Sequence, residues 1–249
     1  MKIANAPKVL PGTETYNSGV EKRLPLSDQH AFEDARRGFI TQLPKGGVPR
    51  ENGTEAWDNA WFDYNDDACP PTVNPSLWRQ GQLNNINGLF EVTDGVWQAR
   101  GCDYANMTII RGETGWILVD PLMARETSAA VLALVNETLG SRPVSAIIIT
   151  HCHLDHFGGV RGVMGDSPDD VPPIFGPDGF MQFAASEGIL GGNTMARRAT
   201  YQHGIKLPIG PDGIVDGGIG KTVSRGDRGF APIDHFICDT GETRVIDGV

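Results

Sequence analysis

The run Val144-Ser145-Ala146-Ile147-Ile148-Ile149-Thr150-His151-Cys152-His153-Leu154-Asp155-His156-Phe157-Gly158-Gly159 joins two patterns end to end. Val144 to Ile149 is almost continuously apolar and rich in β-branched residues, which reads as a strand covered on both faces. Three histidines and an aspartate follow within the six residues 151–156, in a chain that has six histidines altogether, so a polar loop with chance histidines is a poor account of the segment. While the backbone stays extended, alternate side chains point the same way. His151 and His153 therefore face one side, where neutral imidazole nitrogens can chelate one ion. Cys152 and Leu154 face the other side, into packing. Asp155 and His156 then offer a carboxylate and an imidazole at a second position, and Gly158-Gly159 lets the backbone turn tightly beside them. Ligand sites in α/β sheets collect at such strand ends.

The expected metal ligands are thus His151, His153, Asp155 and His156. A closed structural zinc site usually includes cysteine, and the parity of Cys152 excludes it here. Imidazole and carboxylate suit zinc, though iron or manganese would also fit.

Outward from this segment the pattern stays that of an α/β protein. Glu126 to Leu139 predicts a helix with Val131, Leu134, Val135, Thr138 and Leu139 on one face and Gly140 at its C-terminal cap. Before it, Met107–Arg111 and Trp116–Asp120 form a strand pair around residues 112–115. Leu89–Thr93 and Val96–Arg100 form a hairpin about Asp94-Gly95. Strand, helix and strand from Trp116 to Thr150 imply a layered architecture with a right-handed crossover. Asp120, at a strand end before Pro121, either orients a ligand imidazole or merely makes a turn.

Downstream, Pro177–Leu190 and Asn193–His203 read as helices, the second with Asn193 as N-cap and Gly204 after its end. Tyr201, His203 and Gly204 are candidates for the wall of a substrate pocket. Arg197 and Arg198 compete between that wall and a plain helix surface. His30 and His235 are not expected to be ligands, and the glycines of 210–220 lack the strand–turn–helix context of a phosphate loop. Residues 205–249 are rich in glycine and aspartate, with a brief apolar run at His235–Cys238. Upstream, residues 1–80 show little periodicity and read as an extended arm, with one short helix opening at Ser27 or Asp28. That divides the chain into 1–80 and 81–249.

Composition narrows the function. The chain has 249 residues, enough for one substantial core, with 39% hydrophobic and 21% charged residues. Its 32 glycines and 17 prolines are scattered, which implies many turns. A formal charge of −10 argues against a nucleic-acid or anionic-membrane partner, and an anionic ligand would have to be drawn locally, for example by bound cations. The four cysteines lie far apart without CxxC spacing and read as free thiols of a reducing compartment. No apolar run spans a bilayer and none near Met1 suits a signal peptide, so the expected location is cytoplasmic.

Longer stretches carry a resemblance. His151-Cys152-His153-Leu154-Asp155-His156-Phe157-Gly158-Gly159-Val160 is similar to the metal motif of the alkyl sulfatases, a branch of the metallo-β-lactamase superfamily. The branch is marked by residues 34–40, by 72–80 (Thr72-Val73-Asn74-Pro75-Ser76-Leu77-Trp78-Arg79-Gln80), by 88–92, by 106–108 and by 115–117. Met195-Ala196-Arg197-Arg198-Ala199 and Thr240-Gly241-Glu242-Thr243 extend it. The resemblance implies an α/β fold of the metallo-β-lactamase-like αββα sandwich type, of which this chain holds the first part. It implies two zinc ions, His151 and His153 on the first, Asp155 and His156 on the second. It also implies hydrolysis of long-chain alkyl sulfates such as dodecyl sulfate. In that family two glutamates, another histidine, a helical dimerisation domain and a sterol-carrier-like domain follow downstream, so the chain reads as a truncated form and a homodimer is expected of the intact protein only. The alternatives are hydrolysis of a lactam, lactone or phosphoester, and a metal-binding fragment without turnover.

Overall fold

The computed structural model describes residues 9–66, 68–165 and 171–249. Residues 9–80 are not an extended arm: they hold three helices, a strand of the main sheet and a small hairpin, while residues 1–8 of the expected arm lie outside the described residues. Helix α1 (Pro11–Arg23) opens on Pro11, at a position where a missing N–H breaks no helical bond. It buries only Asn17 and Val20, which is why it leaves no hydrophobic period in the sequence. The Asn17 amide instead donates to the carbonyls of Pro71 (2.9 Å) and Val73 (3.0 Å), tying α1 to the chain ahead of the third helix.

Helix α2 (His30–Arg36) is the short helix expected there, with the Asp28 carboxylate accepting the His30 N–H at 3.0 Å. Strand β1 (Phe39–Thr41) joins the main sheet; β2 (Val48–Pro49) and β3 (Glu55–Trp57) pair with each other. A 3-10 helix, Asn59–Asp66, leads to α3 (Pro75–Asn84), where Asn74 caps the Ser76 N–H at 2.9 Å. The division at residue 80 falls inside α3.

The main sheet runs β1-β4-β5-β6-β7-β8-β9-β10. Strands β4 (Gly88–Thr93), β5 (Val96–Arg100), β6 (Met107–Arg111) and β7 (Trp116–Val119) form the two hairpins expected from their turns, with Gly95 at φ +77° in the first, and pairing of β5 with β6 joins them into one antiparallel meander. Helix α4 (Arg125–Leu139) crosses to β8 (Val144–Ile148), parallel to β7. After the one-turn helix α5 (Leu154–Phe157) come β9 (Ile174–Pro177), α6 (Phe180–Ala185), a π-helical turn Ser186–Leu190, α7 (Gly192–His203) and β10 (His235–Ile237). Both β9 and β10 continue the parallel half of the sheet.

Two sequence readings change here. Pro177 ends a strand instead of opening a helix, because Ile174 and Phe175 pair with Ile147 and Ile148. Asn193 is not a cap: α7 starts one residue earlier, behind Gly191.

Trp97, Ile109, Leu118 and Ile147 stand in register across four strands and meet Val131, Leu134 and Val135 of α4 in one core. On the opposite face Ile110, Val119 and Ile148 are half-exposed, so cover on both faces is only partly met. Among the described residues no helix is long and apolar enough to cross a membrane.

Candidate metal centre

Strands β7 and β8 end side by side, and the Asp120 N–H donates to Ile148 O at 2.9 Å, so both chains leave the sheet together. Beyond that point Asp120 (φ +56°) and Leu122 (φ +60°) take left-handed conformations unusual for residues with a Cβ. What holds Asp120 is its carboxylate. One oxygen accepts the Thr150 N–H (2.8 Å); the other accepts the Thr150 hydroxyl (2.7 Å) and lies 2.8 Å from His156 Nδ1. With Nδ1 engaged by a carboxylate, His156 is left Nε2 for an ion.

The expected ligands form two close pairs. His151 Nε2 and His153 Nδ1 stand 3.1 Å apart, and His156 Nε2 and Asp155 Oδ2 stand 3.3 Å apart. Two donors on one tetrahedral zinc, each at about 2.0–2.1 Å, are separated by about 3.3 Å. The two pairs adjoin, the His151 and His156 rings being 4.1 Å apart. One atom each of Asp120, His151 and His156 also lies within 4.8 Å of the others. The Asp120 oxygens already accept three bonds, which makes this residue the anchor of the site. The donor set and its spacing fit a metal.

The electrostatics are those of a crowded cation site. Burial pushes the His156 imidazole down, but Asp120 and Asp155 more than reverse this and lift it to about 9. Burial pushes Asp155 up, and the His156 hydrogen bond and charge carry it below the ordinary carboxylate value. Burial, with repulsion from His156 and His153, lowers His151.

Close backbone approach explains the glycines after the motif. A Cβ on Gly159 would strike Pro121 O and lie 2.7 Å from Ala124 O, and one on Gly158 would strike Met123 O. The Gly159 N–H donates to Leu122 O at 2.9 Å. Only bare backbone lets α5, with Asp155 and His156, dock on the loop that presents Asp120. Cys152 is partly buried against the core.

The downstream candidates separate. His203 ends α7, its ring edge-on to Tyr104 at 5.1 Å, and Gly204 (φ +59°) caps the helix. Tyr201 is 90% exposed, since two residues along a helix turn the side chain to the far side. Arg197 and Arg198 are surface residues. His30 pairs with Asp34 at 3.2 Å and His235 stacks on Phe175 at 4.5 Å, both apart from the cluster. Sequence reasoning missed the part of Thr150, whose hydroxyl holds the Asp120 carboxylate and was a usable signal at the strand end.

Residues 100–173 match the metallo-β-lactamase superfamily. Over 95% of its length the chain is 43% identical to the linear primary-alkylsulfatase and 44% identical to the (R)-specific secondary-alkylsulfatase, both of Pseudomonas sp. It is 42% identical over 96% of its length to the alkyl/aryl-sulfatase of Saccharomyces cerevisiae. The chain is an alkylsulfatase homologue. It spans 36–38% of the length of these relatives. The structure of a stereoselective inverting sec-alkylsulfatase from Pseudomonas sp. superposes on this homologue with a TM-score of 0.91 at 39% identity, covering 99% of this chain and 39% of that one. The large mixed sheet is therefore that of a metallo-β-lactamase-type alkylsulfatase, and the cluster at the ends of β7 and β8 is its candidate metal centre.

Proposed function

We propose that the protein carrying this chain is a zinc-dependent hydrolase of alkyl sulfate esters, with His151 and His153 holding one ion and Asp155 and His156 a second. The observation that carries this reading is the pair of 3.1 and 3.3 Å donor couples adjoining one anchoring carboxylate, in a chain over 40% identical to alkylsulfatases. Bound zinc would supply an acidified water and positive charge for the sulfate group. The chain's own part is placement. Asp120 fixes the His156 tautomer, Thr150 fixes Asp120, and Gly158-Gly159 seats α5 against both.

Each pair provides two protein donors, whereas catalytic zinc usually keeps about three. With two donors per ion, these residues alone would hold the ions weakly and turn over slowly. The test assays dodecyl sulfate and a chromogenic lactam with added zinc, for this chain and for a longer protein that includes it. Sulfate release by the longer protein alone is expected. Lactam turnover without sulfate release would overturn the substrate, and comparable sulfate turnover by both would overturn the need for further donors.

A further inference from the structure

A buried ion pair joins helix α3 to the loop of residues 216–221. Lys221 is 2% exposed, and its Nζ sits 3.3 Å from Oδ2 of Asp216, whose side chain has no exposed surface. The ammonium also donates to Gly81 O (2.9 Å) and rests 4.5 Å from the centre of the Phe62 ring. The second Asp216 oxygen accepts from Asn84 Nδ2 (2.9 Å) and from the Gly218 N–H (2.6 Å). Helix α3, through Gly81 and Asn84, thus grips both charges. A pair this deeply enclosed costs desolvation, and its geometry must repay that cost.

Between the two charges the chain folds back on itself, with the Gly217 N–H donating to Gly220 O (2.8 Å) and Lys221 O (3.1 Å). Its bare backbone lies directly on two rings. A Cβ at Gly220 would sit 2.9 Å from Tyr104 Cδ2, and one at Gly217 would sit 3.5 Å from both His203 Nδ1 and Tyr104 Cε2. The Tyr104 hydroxyl and His203 Nδ1 are enclosed without a hydrogen-bond partner among the described residues, so packing against this loop sets the two rings. Asp103, the residue before Tyr104, accepts the Ala124 N–H (3.2 Å), and Ala124 O lies against Gly159, so the loop that carries Tyr104 is tied to the loop on which α5 docks.

We infer that Asp216 and Lys221 are positioning residues for the metal centre: their buried pair, gripped by α3, locks the 216–221 loop against Tyr104 and His203, next to the loop that presents Asp120 and seats α5. The inference rests on reading residues 151–156 as a metal centre, and it assigns the N-terminal helices a part in the site's geometry. The test uses the protein carrying this chain, with variants Asp216→Asn, Lys221→Met and the milder Asn84→Ala. Each is checked for folding by circular dichroism. The first readout is the imidazole NMR signal of His203, assigned by its loss in His203→Asn; the second is kcat and KM on dodecyl sulfate. In folded variants the His203 signal should move and KM should rise about tenfold while kcat changes less than about threefold. A lowered melting midpoint with the His203 signal and KM both unmoved would overturn the inference. Should the two charge variants fail to fold, Asn84→Ala decides by the same readouts. An inactive wild type would defeat the sulfatase reading alone, since the His203 signal still tests the positioning.

Discussion

His156 shows how much depends on single atoms at this site. Its imidazole is held at about 9, above the ordinary histidine value of 6.5, by Asp120 and Asp155. A raised folded-state value stabilises the fold fully below about pH 6.5, and that contribution is lost as the pH rises through about 9. The metal-free melting midpoint should therefore fall more steeply between those limits in the wild type than in His156→Gln; equal slopes would disprove the account. The same proton must leave before zinc binds, so calorimetry near pH 7 in buffers of different ionisation enthalpy should detect about one proton released with the ion on the Asp155 side. Side-chain parity gives a companion prediction. Cys152→Ser should leave metal stoichiometry unchanged, while His153→Ala should lower it. Metal lost on Cys152→Ser would refute the argument from an extended backbone.

At the scale of elements, two short connections matter more than their length suggests. Helix α5 docks through glycine backbone, so Gly159→Ala should push it off the Pro121–Ala124 loop, part His156 from Asp120 and lower zinc affinity by about ten- to a hundredfold. Unchanged affinity in a folded variant would show that the close approach is dispensable. The β6–β7 turn is closed from the far end of the chain. Asp247 accepts from Thr114 N–H (3.0 Å), Thr114 Oγ1 (2.8 Å) and Gly115 N–H (3.0 Å). Burial would raise its carboxyl, but the hydrogen bonds it accepts, among them those from Thr114 and Gly115, outweigh this and bring it down to about 2. A depressed carboxylate contributes above its ordinary value of 3.8 and loses that contribution as the pH falls through about 2. In Asp247→Ala the Thr114 and Gly115 amides should exchange hydrogen faster at neutral pH, and protection at wild-type levels would refute the clasp.

Across the whole molecule, buried carboxylates join segments distant in sequence. Asp103, in the β5–β6 loop, accepts from the Tyr104 N–H (2.6 Å), the Ala124 N–H (3.2 Å) and the Thr127 hydroxyl (2.5 Å) at the start of α4. Burial pushes its carboxyl up, and the hydrogen bonds oppose that. Asp103→Leu strands these donors, and the loss should be about 3 kcal/mol in denaturant unfolding. A loss under about 0.5 kcal/mol would mean the network is incidental. Asp216 and Lys221 do the same between α3 and the loop beside His203.

Local chemistry was enough for the meander, α4 and the metal motif. Asp94-Gly95 sets a hairpin, the α4 stripe has its helical period, and His151, His153, Asp155 and His156 are neighbours in the chain before they are neighbours in space. Elsewhere the signal is not local. Helix α1 faces the molecule with an asparagine and one valine, so no period announces it. Strand β9 is a Gly- and Pro-containing tetrapeptide that becomes a strand only because β8 offers it hydrogen bonds. Asp120 could turn a corner or hold a ligand until the sheet laid β7 beside β8 and brought Thr150 and His156 to its oxygens. Tyr104, His203, Asp216 and Lys221 lie up to 117 residues apart (Lys221 minus Tyr104) and meet only through tertiary packing. The sequence by itself determined which donor atoms crowd into one short segment, because His151, His153, Asp155 and His156 are near neighbours in the chain. The tertiary structure decided that the Asp120 carboxylate meets Thr150 and His156, because that contact depends on where distant backbone ends.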